Sequence, residues 1–295
     1  MQSADFLSAV FFYLKVGETL NQNWIVENLN NAFSTWNGKL GELWGLVTTG
    51  PQTFKGGAVW SVMQTLHNGM VGIGYALVVL FFAISLCKNT MNFHELKRPE
   101  AAIHYFLRFV AAKALVGYGM DIMLNVFSIC NGIVTDMADS MGGISEAMVS
   151  LPTEMQTAIE NVGFLASIPL WLVTILGSLF ITVLSFVMIL TVYGRFFRLY
   201  MYTALAPLPL AAFAGESTQS VGISFLKSYV GVCLEGAVIV LACVIYSAFV
   251  STPTVASGEA TTIVWSYLAE TVFNMLVLVG LIKGSDRIIH EMMGL

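Results

Sequence analysis

The chain has 295 residues, of which 57% are hydrophobic and only 11% are charged, and its mean hydropathy is strongly positive. This composition excludes an ordinary soluble domain and is typical of a membrane protein with several spans. The net charge of −5 comes without a lysine-rich run, which speaks against a surface for strong direct DNA binding. We therefore predict an all-α fold, a polytopic membrane helix bundle.

An amphipathic helix is predicted before the membrane part of the chain. Between Trp24 and Val47 the apolar residues recur at spacings of three and four, at Ile25, Leu29, Phe33, Trp36, Leu40, Leu43 and Val47. The opposite face is polar, so this helix is not a span. Trp24, Trp36 and Trp44 suit a helix that lies flat at the membrane interface. The stripe fits equally well a seam against the bundle or against a neighbouring subunit.

Residues 1–60 are thus predicted as an extracytoplasmic N-terminal helical region, followed by a transmembrane helical domain over residues 61–295. A loop at Gly50-Pro51 and Gly56-Gly57 separates the two. The domain contains five apolar runs long enough to cross a hydrocarbon core, near residues 69–87, 109–134, 166–194, 221–250 and 263–282. Basic residues follow the first, third and fifth runs. The positive-inside rule then predicts a multi-pass protein of the cell membrane with its N-terminus outside and its C-terminus in the cytoplasm.

The connection over residues 135–162 carries acidic residues and no lysine or arginine, so we expect it to lie outside. Gly142-Gly143 and Pro152 predict a bent or hairpin-like connection instead of one helix.

One apolar stretch is too short to be a span. The uncharged residues 199–214 would form a helix of about 24 Å, against a hydrocarbon core of about 30 Å. Pro207 and Pro209 each remove an amide donor, so the helix must break or turn there. Arg195 and Arg198 precede the stretch and Lys227 follows it, which predicts a hairpin on the cytoplasmic face. A partly inserted, re-entrant hairpin stays the alternative.

Four charged residues fall inside the predicted spans, namely Lys113, Asp121, Glu235 and Glu270. Such residues normally face the bundle interior, a partner or a water-filled cavity. Regular steps of four place Lys113, Gly117, Asp121 and Asn125 on one helix face. One interpretation is that these polar groups hold helices or subunits together, with Lys113 paired to Glu235. The other is a hydrated pore or proton path through Asp121, Glu235 and Glu270.

Motifs of enzymes are lacking in the sequence, which has no HExxH, phosphate loop, GxSxG or paired metal-ligand spacing. We therefore predict no catalytic residue, metal or cofactor. Four cysteines, Cys87, Cys130, Cys233 and Cys243, lie in apolar segments and are expected to be small packing residues. Bound phospholipid between subunits is the one ligand expected, because arginines at the headgroup level and small-residue helix faces leave grooves for acyl chains.

Three features of the second half of the chain carry a family resemblance. They are the uncharged span ending in Arg195-x-x-Arg198, the stretch Ala-Leu-Ala-Pro207-Leu-Pro209-Leu-Ala, and Gly-x-Ser224-Phe-Leu-Lys227 leading into a long helix. Together they resemble the polytopic inner-membrane subunit of conjugative type IV secretion systems, the TrbL-like family. The resemblance covers roughly residues 65–290, with its most specific part at 190–250. The size and the low charge are similar to the version found in Gram-positive bacteria.

This resemblance implies a non-enzymatic component of a membrane channel complex. Members of the family assemble as a homo-oligomeric ring, contact the secretion ATPases and pilus or stalk subunits, and help to transfer a DNA–protein substrate. By position, the resemblance implies a cytoplasmic face presented to ATPases or lipid headgroups, formed by Arg195, Arg198, Pro207, Pro209 and Lys227. The rival functions are a stand-alone ion-coupled channel or transporter that uses the intramembrane carboxylates, and a passive membrane scaffold.

Overall fold

A computed structural model describes residues 2–90, 99–140, 148–160, 162, 164–250 and 260–294. Within these ranges the regular secondary structure is entirely helical, which confirms the all-α prediction. The α-helices are α1 (Gln2–Thr48), α2 (Ala58–Thr90), α3 (Pro99–Gly117), α4 (Gly119–Ser140), α5 (Thr153–Glu160), α6 (Phe164–Leu205), α7 (Pro207–Ala211), α8 (Gln219–Val250) and α9 (Ala260–Met293). Two 3₁₀ turns, Phe54–Gly57 and Ala212–Ala214, complete the regular structure. The predicted bend at Gly142-Gly143 lies outside the described residues.

Four of the described helices are long and apolar enough to cross a membrane. They cover Phe54–Lys88, Ile168–Leu205, Gln219–Phe249 and Thr262–Met293. A fifth candidate span arises if the bent pair Ile103–Gly117 and Gly119–Asp139 counts as one crossing. The chain is therefore a multi-pass membrane protein with four to five spans in its described part, close to the five predicted.

The second predicted span, 109–134, is not one straight helix. α3 ends at Gly117, α4 begins at Gly119, and the two helices meet at an angle of 72°. Glycines on both sides of Tyr118 make such a break easy, because they lack the Cβ that restricts the backbone. The bend places Lys113 on α3 and Asp121 on α4. The single polar face predicted for Lys113, Gly117, Asp121 and Asn125 is therefore wrong.

The third span is longer than predicted, because α6 continues past residue 194 to Leu205. The prediction placed the end of the span at Arg195, where charge was taken to mark the membrane edge. Arg195 is instead wholly buried, and Arg198 forms ion pairs with acidic residues of other helices. With both charges compensated inside the protein, the helix ends only just before Pro207, whose missing amide breaks the hydrogen-bond ladder.

The chain divides into two compact units. The first comprises Met1–Gly45, Met141–Thr191 and Leu241–Lys283, and the second comprises Leu46–Ser140, Val192–Val240 and Gly284–Leu295. α1, α6, α8 and α9 each contribute residues to both units. This grouping differs from the boundary predicted at residue 60, which stays a prediction about placement in the membrane.

In the first unit, the apolar stripe of α1 is a buried seam. Its residues Ile25, Leu29, Phe33, Trp36, Leu40 and Leu43 are at most 2% exposed. Asn37 exchanges two hydrogen bonds with the backbone of Val149, at 2.8 and 2.9 Å. The seam interpretation is confirmed, and a helix lying flat on the bilayer is wrong for this segment, because such a helix would leave the stripe uncovered by the protein.

The three tryptophans of α1 do not share an interfacial position. Trp36 is wholly buried, so its predicted place at the membrane interface is wrong. Trp44 is partly buried, and Trp24 stays 42% exposed with its ring 5.6 Å from that of Trp171 on α6. A residue in register with the buried stripe follows the seam whatever its preference for the lipid interface.

A stripe of hydroxyl side chains along α6 is satisfied mainly within its own helix. Each side chain donates to a backbone carbonyl one turn earlier, at 2.7 to 2.9 Å, in Thr174, Ser178, Thr182 and Ser185. Ser178 also accepts a hydrogen bond of 3.1 Å from Asn28 of α1. The donor of each of these hydroxyls is therefore already used inside α6.

In the second unit, the predicted loop before the membrane part is confirmed as a turn around the 3₁₀ segment. Lys55, Gly56 and Gly57 all have positive φ, at 51°, 70° and 78°. A Cβ at Gly57 would also lie only 3.0 Å from the Gln52 carbonyl oxygen. Glycine is thus required at this position, and the turn leads α1 into α2.

Candidate functional site

The proline segment, defined as residues 207–214, packs along α2 and α3. Gly74 lies near the middle of the candidate span Phe54–Lys88, and a Cβ there would lie 2.9 Å from the Pro207 carbonyl oxygen. Further along, the Glu216 amide donates to Ser85 Oγ at 3.5 Å, near the end of α2. The segment thus lies beside the middle and the end of α2, and the absent side chain of Gly74 allows the close approach.

A histidine supplies a hydrogen-bond donor to the backbone where the helix breaks. Pro207 has no amide, so the Thr203 carbonyl, four residues earlier, lacks its usual helical partner. His67 Nδ1 donates to that carbonyl oxygen at 2.7 Å, and its side chain is only 2% exposed. The broken helix is tolerated in apolar surroundings because another helix supplies the missing donor.

The predicted contact surface is only partly exposed. Pro207 is buried and Pro209 is partly buried, so the prediction that Pro207 is presented to partners is wrong. The exposed part of the connection is the hairpin tip, defined as residues 216–220. There, Arg108 of α3 lies 3.9 Å from the Glu216 carboxylate and donates to Gln219 Oε1 at 3.4 Å. Lys227 is exposed further along α8.

Arg195 lies in the protein interior, with none of its side chain exposed. It donates to three backbone carbonyls, those of Val232, Cys233 and Val47, at 3.3, 3.2 and 3.4 Å. Val47 belongs to the last turn of α1, where carbonyls lack helical partners and the helix dipole attracts a cation. A contact of Arg195 with ATPases or lipid headgroups is therefore excluded. The residue joins α1, α6 and α8.

Gly236 makes room for this guanidinium. A Cβ at position 236 would lie 2.8 Å from Arg195 Cζ and equally close to both terminal nitrogens. Any other residue would therefore displace the arginine from the α8 carbonyls.

The neighbouring arginine forms what we term the carboxylate clamp, which consists of Arg198, Glu235, Ser285 and Asp286. Arg198 Nη2 donates to both carboxylate oxygens of Glu235 at 2.7 Å, and its Nη1 donates to Asp286. Ser285 Oγ adds a hydrogen bond of 3.2 Å to Glu235. Glu235 is 1% exposed, so its charge depends on protein partners, of which Arg198 forms the ion pair. The clamp ties α6, α8 and α9 together.

These contacts decide between the interpretations of the intramembrane charges. The predicted pair of Lys113 and Glu235 is wrong: Lys113 is exposed, and the ion-pair partner of Glu235 in the described part of the chain is Arg198. Asp121 is exposed on α4, whereas Glu235 is sealed in the clamp. Glu270 belongs to the first unit and is partly buried. The geometry favours holding helices together over a continuous path of carboxylates.

An apolar groove of about 470 Å³ opens beside the clamp. It is lined by Arg198, Met201, Tyr202, Leu205, Leu208, Pro209 and Phe225. The lining suits an acyl chain, while Arg198 already holds two carboxylates. No group of three His, Cys, Asp or Glu residues in the described ranges lies close enough to hold a metal ion.

Sequence reasoning missed three of the polar residues that organise the second unit. Ser285 and Asp286 lie past the predicted end of the last span, and His67 lies just before the predicted start of the first. For His67 a signal existed, because a proline inside an apolar helix always orphans the carbonyl four residues earlier and so demands a donor. No comparable pattern pointed to Ser285 or Asp286.

A comparison with known proteins gives the family. The family described as TrbL/VirB6 plasmid conjugal transfer like protein matches residues 36–207. Neither the curated proteins nor the solved structures gave a match. The matched region starts earlier than the predicted resemblance, at Trp36 within the seam of α1, and ends at Pro207, where the helix breaks. Since it covers more than half of a multi-pass helical protein, the chain belongs to the TrbL/VirB6 conjugal transfer family, whose members are components of type IV secretion systems.

Proposed function

We propose that this protein is a channel-complex component of a conjugative type IV secretion system, which helps a DNA–protein substrate to cross the cytoplasmic membrane without chemistry of its own. The observation that carries the proposal is the carboxylate clamp within a chain of this family. The ion pairs of Arg198 join three long helices, α6, α8 and α9, and such fixed joints suit a rigid framework. Within the family, we still expect the subtype that is found in Gram-positive bacteria.

The rival function, an ion-coupled channel or transporter, has less support from the geometry. A carboxylate that carries ions must exchange partners during each cycle. Glu235 accepts two short hydrogen bonds from Arg198 and one from Ser285, and it has almost no exposed surface. Such a group is suited to a fixed joint.

For cytoplasmic partners we propose the hairpin tip as the contact surface, in place of the buried prolines. Glu216, Ser217 and Ser220 are exposed there, and Arg108 brings a positive charge beside Glu216. We expect secretion ATPases on this side, pilus or stalk subunits on the other, and several copies of the chain in a ring. The N-terminus is then outside and the C-terminus in the cytoplasm, in line with the positive-inside rule.

Bound phospholipid stays a prediction. The groove beside Arg198 is apolar, which favours an acyl chain over a polar ligand. The two carboxylates on Arg198 leave little reason for a lipid phosphate to bind there. Mass spectrometry of the protein released from detergent micelles tests for a retained lipid.

The proposed function is tested by transfer and crosslinking in donor cells. Removal of the chain should abolish conjugal transfer, and the intact chain should restore it. A photo-crosslinking residue at Ser217 should capture a secretion ATPase, whereas the same residue at the buried Leu210 should not. Normal transfer without the chain would overturn the proposal. Capture of lipid alone at Ser217 would overturn the assignment of the tip to the ATPase.

A further inference from the structure

Two opposite charges stand exposed on apolar helices of the second unit. Asp121 lies in the first turn of α4, within the bent pair that forms the fifth candidate span, and Lys227 lies in α8, within another candidate span. No ion pair joins either residue to another residue that the structure describes. A carboxylate on a short side chain is costly against lipid and normally has a protein partner.

One hydrogen bond between α4 and α8 lies close to both charges along their helices. Tyr229 OH of α8 donates to the Met123 carbonyl of α4 at 2.8 Å, which fixes these helices side by side. Asp121 and Lys227 each lie two residues before one member of this contact. Two residues on an α-helix differ in direction by about 200°. The buried Met123 and Tyr229 face the core, so Asp121 and Lys227 point outward on separate faces.

From this arrangement we infer that Asp121 of one copy pairs with Lys227 of the next copy around a ring. Copies related by a rotation axis along the membrane normal keep every residue at its own depth. A pair between neighbours in such a ring therefore needs two partners at equal height on different faces of one chain. Asp121 and Lys227 each lie about 3 Å along their helix from the contact between α4 and α8, so they suit that requirement, and their charges are complementary. A second copy of this chain is thus the occupant of both faces.

The surroundings of both residues suit helix packing between copies. Tyr118 and Ile129 are exposed on the α4 side, and Val221 and Ile223 are exposed on the α8 side. Ser224 is a small exposed residue one turn before Lys227, which permits close approach of another helix. The inference rests on the proposed membrane ring, and it names the surfaces that close it.

Cysteine crosslinking in native membranes tests the pair. In a chain with Cys87→Ser, the variant Asp121→Cys/Lys227→Cys should give a ladder of dimers and higher oligomers with a short bifunctional thiol reagent. The matched control is Asp121→Cys/Ser220→Cys. Ser220 is exposed on the same side of α8, but seven residues, or about 10 Å, away along the axis. We expect the ladder to be lost in the control. No ladder with 121/227, or equal ladders in both variants, would overturn the inference.

Charge exchange supplies the second measurement. Asp121→Lys or Lys227→Asp alone should abolish the oligomer in native gels, and Asp121→Lys/Lys227→Asp together should restore it. Lys113→Asp, an exposed lysine on α3, should not rescue Asp121→Lys. Failure of the double exchange to restore the oligomer would overturn the pairing. If the 121/227 variant forms the ladder, but cells that lack the chain still transfer DNA normally, the proposed function alone is refuted. If transfer requires the chain, but only monomers are found, the ring interface alone is refuted.

Discussion

At the scale of single residues, the buried charges of the second unit are held by backbone and side-chain partners of known identity. Arg195 is solvated by carbonyls, including one at the C-terminus of α1, whereas Arg198 is held by carboxylates. A buried ion pair adds little stability beyond apolar packing, but the loss of one partner is costly. The clamp therefore specifies which helices pack together, and its contribution to the free energy of unfolding is measurable by mutation.

The first prediction concerns the coupling within the carboxylate clamp. Arg198→Ala removes the ion-pair partner of the buried Glu235 carboxylate and should reduce the free energy of unfolding by about 3–5 kcal/mol. Glu235→Ala should cost less, because Arg198 keeps Asp286 at its more exposed end. In the double variant the loss should be smaller than the sum of the two single losses. Denaturation in detergent measures all four proteins, and strictly additive losses would contradict the clamp.

The second prediction concerns the histidine that repairs the helix break. His67→Phe removes the donor to the Thr203 carbonyl and should reduce the free energy of unfolding by about 1–3 kcal/mol, since a buried acceptor is left unpaired. Pro207→Ala restores an amide at position 207 that is able to occupy the same carbonyl. His67→Phe should therefore cost less in the Pro207→Ala background. Equal costs in both backgrounds, measured by thermal denaturation, would show that the hydrogen bond contributes nothing.

At the scale of helices, the close contact between α2 and the proline segment depends on one glycine. A Cβ at Gly74 would lie 2.9 Å from Pro207 O and 3.0 Å from Pro207 Cβ, whereas Gly72 has no atom within 4 Å of such a Cβ. Backbone and a proline ring cannot rotate away as a flexible side chain does. The glycine at 74 is therefore a packing requirement, and the glycine at 72 is its natural control.

Gly74→Ala should accordingly reduce the free energy of unfolding by about 1–3 kcal/mol through overpacking. Gly72→Ala, two residues away on the same helix, should change it by about 0.5 kcal/mol or less. Melting temperatures of the purified variants in one detergent give the comparison. If Gly72→Ala lowers stability as much as Gly74→Ala, a general effect on α2 explains the result, and the close contact between Gly74 and Pro207 does not.

The sequence predicted helices better than their ends. α2, α6, α8 and α9 were predictable because long apolar runs have few alternatives in a chain of this composition. The end of α6 was missed because charge was equated with the membrane edge, while Arg195 and Arg198 have partners far along the chain that no local pattern reveals. The break at Tyr118 had a local signal in Gly117 and Gly119, but apolar periodicity outweighed it. The α1 seam was visible as a stripe, although its partner was not.

At the scale of the whole molecule, the course of the proline segment determines which connections share a side of the membrane. His67 meets Thr203, Gly74 meets Pro207, and Ser85 meets Glu216, so the chain from 203 to 216 runs alongside α2 in the same direction. The distance along α2 from residue 67 to residue 85 is about 27 Å, close to the thickness of a hydrocarbon core. This one-way course beside a candidate span speaks against an elbow lying wholly in the cytoplasm.

The parallel course makes a prediction that does not depend on the absolute orientation of the protein. Cys87 is exposed near the end of α2, and Ser217 is exposed at the hairpin tip, so the two positions should lie on the same side of the membrane. A membrane-impermeant maleimide should label native Cys87, and Ser217→Cys in a Cys87→Ser chain, in the same vesicle preparation. The remaining cysteines, Cys130, Cys233 and Cys243, are buried and should stay unlabelled.

The positive-inside rule predicts which side of the membrane is labelled. Lys88 directly follows Cys87, so this end of α2 is expected in the cytoplasm. Labelling of both positions in inverted vesicles only would agree with a cytoplasmic hairpin tip. Labelling of both from the outside would refute the predicted orientation, yet it would leave the packing of the proline segment along α2 intact. Labelling from opposite sides would contradict the packing itself, since Glu216 and Ser85 are hydrogen-bonded neighbours. The two-sided experiment therefore separates an error in membrane orientation from an error in the fold.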